Sequence, residues 1–432
     1  MKIPAVKGFH DVLPDDSPRW SWVEQQARDL CARYGFAEIR VPIVERTELF
    51  SRSIGEVTDI VEKEMYTFID RDGSSVTLRP EGTASVVRAY VEHALHQQAP
   101  VSKLFYFGPM FRRERPQKGR LRQFAQIGVE VIGRDDAAID AEVVLLLYDL
   151  LDALEIRRFE IQLNSLGDAV CRPDYRAALL AFGEAHRADL CENCSRRLQR
   201  NPLRLLDCKD PSCHAVTADA PLMIDYLCAP CREHFDLVRA VLAREGIEPR
   251  LNPRMVRGLD YYCRTAFEVV AQGLGAQNAV GGGGRYDGLV KALGGPDTPG
   301  IGFALGVERL VLVMDEVEAA RPGVPEVFLA PLGSEAEREA MHLAHAWRRQ
   351  GLRVEMSSGG KSLKSQMRLA DKLGARYVLI LGEDELAARA LTVRDMAAKR
   401  DFPRALSLSI AGEALRAALG QLGQPLVMER SA

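Results

Sequence analysis

Between Arg112 and Arg122 the chain sets six basic residues against one acid, Glu114, in a segment that holds Pro116 and Gly119 and is flanked by strand-like sequence. A charge run of this kind is commonly a solvated face. Guanidinium groups, however, present planar forks of donors that match phosphate oxygens, and Phe124, just past the run, offers a ring on which a base can stack. A basic loop on a strand pair with an aromatic at its exit points to a nucleotide or nucleic acid. The formal net charge is −3, so nucleic acid must be met by such local patches and not by the field of the whole chain.

Other stretches also carry chemistry. Arg309 follows a glycine-rich run, Gly300-Ile301-Gly302-Phe303-Ala304-Leu305-Gly306-Val307-Glu308, where a lone arginine is ordinarily structural. Arg257-Gly258-Leu259-Asp260-Tyr261-Tyr262 places a cation beside two phenols. Gly281-Gly282-Gly283-Gly284-Arg285-Tyr286-Asp287 reads either as a flexible turn or as a place where missing side chains let backbone approach a ligand. Six cysteines fall between 191 and 231: Cys191 and Cys194, Cys208 and Cys213 beside His214, Cys228 and Cys231. Two C-x2-C pairs have zinc-knuckle spacing. Cys191, Cys194, Cys228 and Cys231 are the first choice of ligands for a structural Zn²⁺, with Cys208 and Cys213 as substitutes; the alternative is reduced, buried thiols. Cys31, Cys171 and Cys263 stand apart and read as ordinary thiols. Nine cysteines in a long chain with no secretory leader argue against a disulfide framework. Gly359-Gly360-Lys361-Ser362 imitates the end of a P-loop, but Glu355 stands where that motif needs glycine. Lys361, Lys364, Arg368 and Lys372 recur at helical spacing on one face, by default a solvated one.

The elements that must position these residues are mixed in kind. Helical periodicity covers Trp20 to Tyr34, Gly82 to Glu92 and Ala137 to Leu154; strand-like runs cover Ala37 to Val44 (interrupted by Pro42), Ser75 to Leu78, Lys103 to Phe107, Val129 to Ile132 and Ala266 to Val270. From Gly306 to Met314 the chain reads as an apolar helix, and Glu316 to Pro325 as a linker. Beyond it, strands at Val327 to Ala330, Leu352 to Met356 and Tyr377 to Leu381 alternate with helices at about 334–349 and 362–374, the pattern of a small α/β domain with a largely parallel sheet. At 432 residues two or three domains are expected. The divisions are a first core segment at 1–169, a cysteine-rich insert at 170–235, a second core segment at 236–320 and a tail domain at 326–432. No window is long and apolar enough for a membrane helix and no signal sequence opens the chain, so a soluble, cytoplasmic protein is expected.

Phe111-Arg112-Arg113-Glu114 with its basic loop and Phe124 resembles the second signature motif of class II aminoacyl-tRNA synthetases, and Gly300 to Leu310 resembles the third. Arg257 to Tyr262, Leu78-Arg79-Pro80-Glu81-Gly82-Thr83 and Gln126-Ile127-Gly128-Val129-Glu130 resemble segments particular to histidyl enzymes. The resemblance runs from Phe9 to about Gln424. It implies an α+β catalytic domain on a mixed, mainly antiparallel sheet, with a small inserted domain and a C-terminal α/β anticodon-binding domain. It implies a homodimer that activates L-histidine with ATP and Mg²⁺ and passes it to histidine tRNA. By the same resemblance Arg112, Glu114, Phe124 and Arg309 hold ATP; Glu81, Thr83 and Gln126 receive the α-ammonium; Glu130 and Tyr262 bond the imidazole nitrogens beside Tyr261; and Arg257, which also binds histidine, is catalytic with Arg112. Arg115, Gln117 and Arg122 would meet the acceptor end of the tRNA, and Lys361, Lys364, Arg368 and Lys372 its anticodon. Two other functions share parts of this pattern. One is a non-catalytic paralogue that regulates histidine biosynthesis, which would lose motif residues and the tail; the other is a sister synthetase for glycine, threonine or proline.

Overall fold

A computed structural model of the chain describes all residues except 1–2, 55–57, 59, 200, 207, 209, 257–258, 260, 275–277, 315–323, 358–359, 403–404 and 423–432. Two compact units divide it, Met1–Val317 and Glu318–Ala432.

The first unit is built on an eight-stranded sheet: β1 (Ala37–Glu38), β2 (Ser102–Phe111), β3 (Gln123–Ile132), β4 (Phe159–Ser165), β5 (Arg250–Leu251), β6 (Cys263–Ala271), β7 (Ala279–Arg285) and β8 (Gly300–Gly306), in the order β1-β2-β3-β8-β7-β6-β4-β5. All pairings from β2 across to β4 are antiparallel, and only the edge strands β1 and β5 join in parallel. The mixed, mainly antiparallel sheet expected from the sequence is present.

Alternation along the strands separates the two faces. Ala125, Ile127, Val129 and Val131 of β3 and Ile301, Phe303 and Leu305 of β8 enter the main core. There they meet α1 (Ser17–Arg33), α3 (Ala137–Ala153) and α4 (Ala229–Arg244), which supply Leu30, Leu146, Leu147, Leu150, Phe235 and Val238. The start of α3 is fixed by Asp136, whose carboxylate accepts from the Ile139 N–H at 3.2 Å and is gripped through both oxygens by Arg134; such a cap contributes about 1 kcal/mol. The other face carries Gln126, Gly128 and Glu130 of β3, beside α2 (Thr83–Glu92).

Two expectations change, and of the two alternatives for the glycine run one falls away. The run from Ala37 to Val44 is not one strand: β1 joins the large sheet, while Val44–Arg46 joins a separate three-stranded sheet with Ser75–Leu78 and Tyr66–Ile69. Pro42 has no N–H for a ladder, and Arg79, 4% exposed, takes the carbonyls of Val41 and Pro42 there. The four glycines at 281–284 are not a turn but the interior of β7, paired on both sides. Finally, the insert boundary at 235 falls inside α4, whose Phe235, Val238 and Leu242 belong to the main core.

The second unit has β9 (Val327–Pro331), β10 (Val354–Met356), β11 (Tyr377–Leu381) and β12 (Ala390–Asp395) in the order β10-β9-β11-β12. The first three are mutually parallel and β12 is antiparallel. Helix α6 (Ser334–Arg349) lays Ala336, Ala340, Leu343 and Trp347 on this sheet, and the Trp347 indole donates to the Ile410 carbonyl at 2.9 Å. Among the described residues no helix is long and apolar enough to cross a membrane. Most of the expected linker, Glu316 to Pro325, lies outside the described residues.

Candidate active site

The β2–β3 hairpin sets Gly108 opposite Gln126 and Met110 opposite Phe124, and its basic loop closes with the Arg112 N–H on the Arg122 carbonyl at 2.9 Å. Arg112 sits at the base of that loop. Its Nε donates to the Pro80 carbonyl at 2.8 Å and its guanidinium lies 5.3 Å from the centre of the Phe124 ring. Two further contacts hold Glu114: Arg120 at 2.6 Å and, more loosely, Arg112 at 4.0 Å. Arg309 comes from α5 (Val307–Val313) on the neighbouring strand β8; it donates to the carbonyls of Gly119, at 2.9 Å, and Ala279, and so joins the loop tip to the start of β7. The adjacent Glu308 accepts the Ala125 N–H at 3.0 Å, and burial pushes its carboxyl up to about 7.

Around a cavity of about 200 Å³ stand Glu81, Thr83, Arg112, Glu114, Phe124, Gln126, Tyr261, Tyr262 and Arg309, nine of the residues expected from the sequence. Its floor is small by construction, with Gly281, Gly282, Ala304 and Gly306 on adjacent strands. Glu81, 4% exposed, accepts the N–H groups of Thr83 and Ala84 at 2.7 and 2.9 Å, which orients its carboxylate at the positive end of α2. Burial nevertheless raises its pKa. Gln126 Oε1 is buried and takes no hydrogen bond among the described residues.

Glu130 is fully buried behind Thr83. Thr83 donates to one of its oxygens at 2.7 Å and Tyr286 to the other at 2.6 Å, while burial pushes its carboxyl up to about 8. Tyr261 and Tyr262 pack with ring centres 4.6 Å apart and planes tilted by 51°, and Tyr261 lies edge-on to Tyr286 at 5.9 Å. Sequence reasoning singled out the segment containing Tyr286 without assigning it this contact. Tyr286 and Glu308 carry no spacing signal of their own, since each acts through a partner distant in sequence, and Glu268 joins them in lining the site from β6.

Other expected residues are not brought into the cavity. Arg257, with Gly258 and Asp260, lies outside the described residues. Arg115 and Gln117 are exposed on the loop. Arg122 binds the carbonyls of Glu114, on the same loop, and of Lys7, at 3.3 and 3.4 Å. Lys364, Arg368 and Lys372 lie exposed on α7 (Leu363–Lys372), whereas Lys361 precedes that helix. The four cysteines first chosen as one metal set are divided: Cys191 and Cys194 gather with Cys208 and Cys213, and Cys228 and Cys231 gather with Asp168 and Cys171. Cys171 is thus not an isolated thiol. A C-x2-C pair supplies only half of a tetrahedral set, and its spacing does not say which distant residues complete it.

A family model for histidyl-tRNA synthetase matches residues 8–197 and 211–310, and one for an anticodon binding domain matches 326–416. The chain is 57% identical to the histidine–tRNA ligase of Syntrophotalea carbinolica, over 92% of this chain and 94% of the relative. It is 54% identical to that of Geobacter sulfurreducens, over 91% and 95%. A crystal structure of apo histidyl-tRNA synthetase from S. aureus superposes with a TM-score of 0.81 at 35% identity, covering 96% of this chain and 99% of that one. The antiparallel sheet, the basic β2–β3 hairpin with Arg112 and Phe124, and Arg309 beyond the glycine-rich β8 define a class II aminoacyl-tRNA synthetase. Within that class the chain belongs to the histidyl-tRNA synthetase family, and is an aminoacyl-tRNA ligase that activates histidine with ATP and transfers it to tRNA.

Proposed function

We propose that the cavity between the β2–β3 hairpin, α2 and β7 is where histidine and ATP meet, with each residue in the role its chemistry suits. The observation that carries this reading is the convergence of Arg112 and Arg309, from sites far apart in sequence, on the pocket lined by Glu81, Thr83 and Gln126. Arg112 grips the α-phosphate of ATP and Arg309 the γ-phosphate, Glu114 reads the adenine amino group, and Phe124 stacks on the purine. The α-ammonium of histidine goes to Glu81, Thr83 and Gln126, and the unpartnered Oε1 of Gln126 supports that role. A neutral imidazole has one donor and one acceptor nitrogen; Glu130 and Tyr262 satisfy them, beside Tyr261, which requires Thr83 to turn aside from Glu130.

Activation joins two anions, a carboxylate and an α-phosphate. Guanidinium groups fixed between them reduce the repulsion and stabilise the charge that builds in the transition state, with no general base needed. Arg112 and Arg257 have this part. Mg²⁺ takes hard oxygen ligands, and the carboxylates of Glu268 and Glu308 beside the phosphate-binding arginines fit an ion held chiefly by the nucleotide; when bound it neutralises the leaving pyrophosphate.

Arg115, Gln117 and Arg122 meet the acceptor end of the tRNA, which requires Arg122 to leave its carbonyl partners. The domain at 326–432 reads the anticodon through Lys361, Lys364, Arg368 and Lys372. The catalytic core occupies 1–169 and resumes within α4 to run to 320, interrupted by an insert that begins near 170 and whose thiols suit a structural Zn²⁺. The working state is a cytoplasmic homodimer, for which sedimentation at twice the 47.9 kDa chain mass is the check. Pyrophosphate exchange measured with each of the twenty amino acids tests the central assignment. Exchange with histidine alone is expected; exchange with glycine, threonine or proline, or with none, would overturn it. A purely regulatory paralogue is disfavoured because Arg112 and Arg309 are retained and the tail is present.

A further inference from the structure

The cysteines of the insert form two nests. In the first, the sulfurs of Cys191, Cys194, Cys208 and Cys213 all lie within 4.8 Å of one another, with 3.8 Å between Cys191 and Cys208. Backbone donors point at them: the Cys191 N–H reaches the Cys213 sulfur at 3.1 Å and the Cys194 N–H reaches that of Cys191 at 3.5 Å. In the second, Asp168, Cys171, Cys228 and Cys231 meet the same limit. The sulfurs of Cys171 and Cys231 are 3.9 Å apart, and Asp168 Oδ1 lies 3.5 Å from the Cys171 sulfur and 3.9 Å from that of Cys228.

These separations discriminate between chemistries. A disulfide would bring two sulfurs to about 2.05 Å, and all nine thiols are free. Ligands on a tetrahedral Zn²⁺, with bonds of about 2.3 Å to sulfur and about 2.0 Å to oxygen, stand about 3.8 Å apart for sulfur pairs and about 3.5 Å for sulfur and oxygen. The Cys191–Cys208, Cys171–Cys231 and Cys171–Asp168 separations match these edge lengths, the Cys228–Asp168 separation of 3.9 Å is slightly longer, and the remaining edges lie within 4.8 Å. Apolar packing would explain buried single thiols, but not their grouping into fours, and not a carboxylate turned into one of the groups.

We propose that the insert holds two structural zinc ions, one on Cys191, Cys194, Cys208 and Cys213, the other on Asp168, Cys171, Cys228 and Cys231. This extends the reading of one thiol-bound zinc. The second site is the more consequential. Asp168 lies just past β4 where the insert begins, and Cys228 and Cys231 lie at the start of α4 where it ends, so one ion ties the two ends together. The other oxygen of Asp168 is 3.6 Å from Arg264, and Arg172, next to Cys171, donates to the Tyr262 carbonyl at 3.0 Å. The site thereby braces the start of β6 and Tyr262, which immediately precedes it.

The test uses full-length chain purified without chelator, with zinc measured by mass spectrometry, thiols by titration and ligands by zinc X-ray absorption. Two zincs per chain and an average of about 3.5 sulfurs per zinc are expected. The paired variants C194S/C213S and C228S/C231S should each retain one. One zinc per chain, or four sulfurs with no oxygen, overturns the second site, and the absorption measurement needs no variant that might fail to fold. Zinc-free protein with nine titratable thiols overturns both sites. If that protein still exchanges pyrophosphate with histidine, the assignment of the active site stands without them.

Discussion

Arg309 has two of its guanidinium nitrogens on the carbonyls of Gly119 and Ala279. A lysine would keep the charge and lose the fork that makes this geometry. R309K is therefore expected to lower kcat/KM for ATP in pyrophosphate exchange by about 10²-fold; an unchanged value would remove Arg309 from the nucleotide site. Glu130 supports a different kind of prediction. Its carboxyl is pushed up to about 8 by burial, against about 4.3 in an unfolded chain. Between those values the folded state holds a proton that the unfolded state has released, so raising the pH favours unfolding. Glu308, raised to about 7, acts in the same direction. Stability should fall as pH rises from about 5 to 8, and E130Q should flatten much of that fall. Denaturant midpoints at both ends of the window check this; a wild type that gains stability across it, with no change in slope for E130Q, would contradict the burial argument.

At the scale of elements, the site rests on a sheet whose inner strands approach too closely for side chains. A Cβ on Gly302 would come to 2.1 Å from the Glu130 carboxylate and 2.2 Å from the Val129 carbonyl. G302A should cost about 1–3 kcal/mol of stability and raise KM for histidine by displacing Glu130; wild-type values in both unfolding and kinetics would show that the strand gives way freely. For α7, reversing Lys364 and Arg368 to glutamate should weaken tRNA binding and make its salt dependence shallower by roughly 1–2, with pyrophosphate exchange unchanged. Unaltered tRNA affinity would return these residues to a solvated face. Much of this scaffold was legible in the sequence. The helices at α1, α2, α3 and α6 follow from periodicity, and the β2–β3 hairpin from strand-like flanks around a basic loop, although both strands run longer than their apolar cores suggested. Composition alone leaves the β7 glycines open between a turn and a ligand approach, because it reports backbone freedom and not the neighbours that demand it, and only the resemblance points to the second. Tyr286 and the division of the cysteines are hidden for a related reason: Tyr286 meets Glu130 156 residues away, and the C-x2-C pairs are completed by partners 17 and 60 residues away, which no local spacing encodes.

The catalytic unit as a whole is joined at one buried carboxylate. Asp140, on α3, takes the Arg285 Nε at 2.8 and 3.1 Å, and the His234 ring on α4 at 2.7 Å. Arg285 is wholly buried and also binds Asp287 and the Arg134 carbonyl. Removing one member of such a set leaves a charge uncompensated, so D140A should cost about 3–5 kcal/mol, measured by chemical denaturation; a loss under 1 kcal/mol would mean water or another acid takes its place. Residues 140, 234 and 285 share no sequence neighbourhood, yet the helix that ends the insert and the glycine strand under the pocket are fastened to the same two oxygens. Melting of the one should therefore coincide with melting of the other, so hydrogen exchange along α4 and along β7 should report a single opening event.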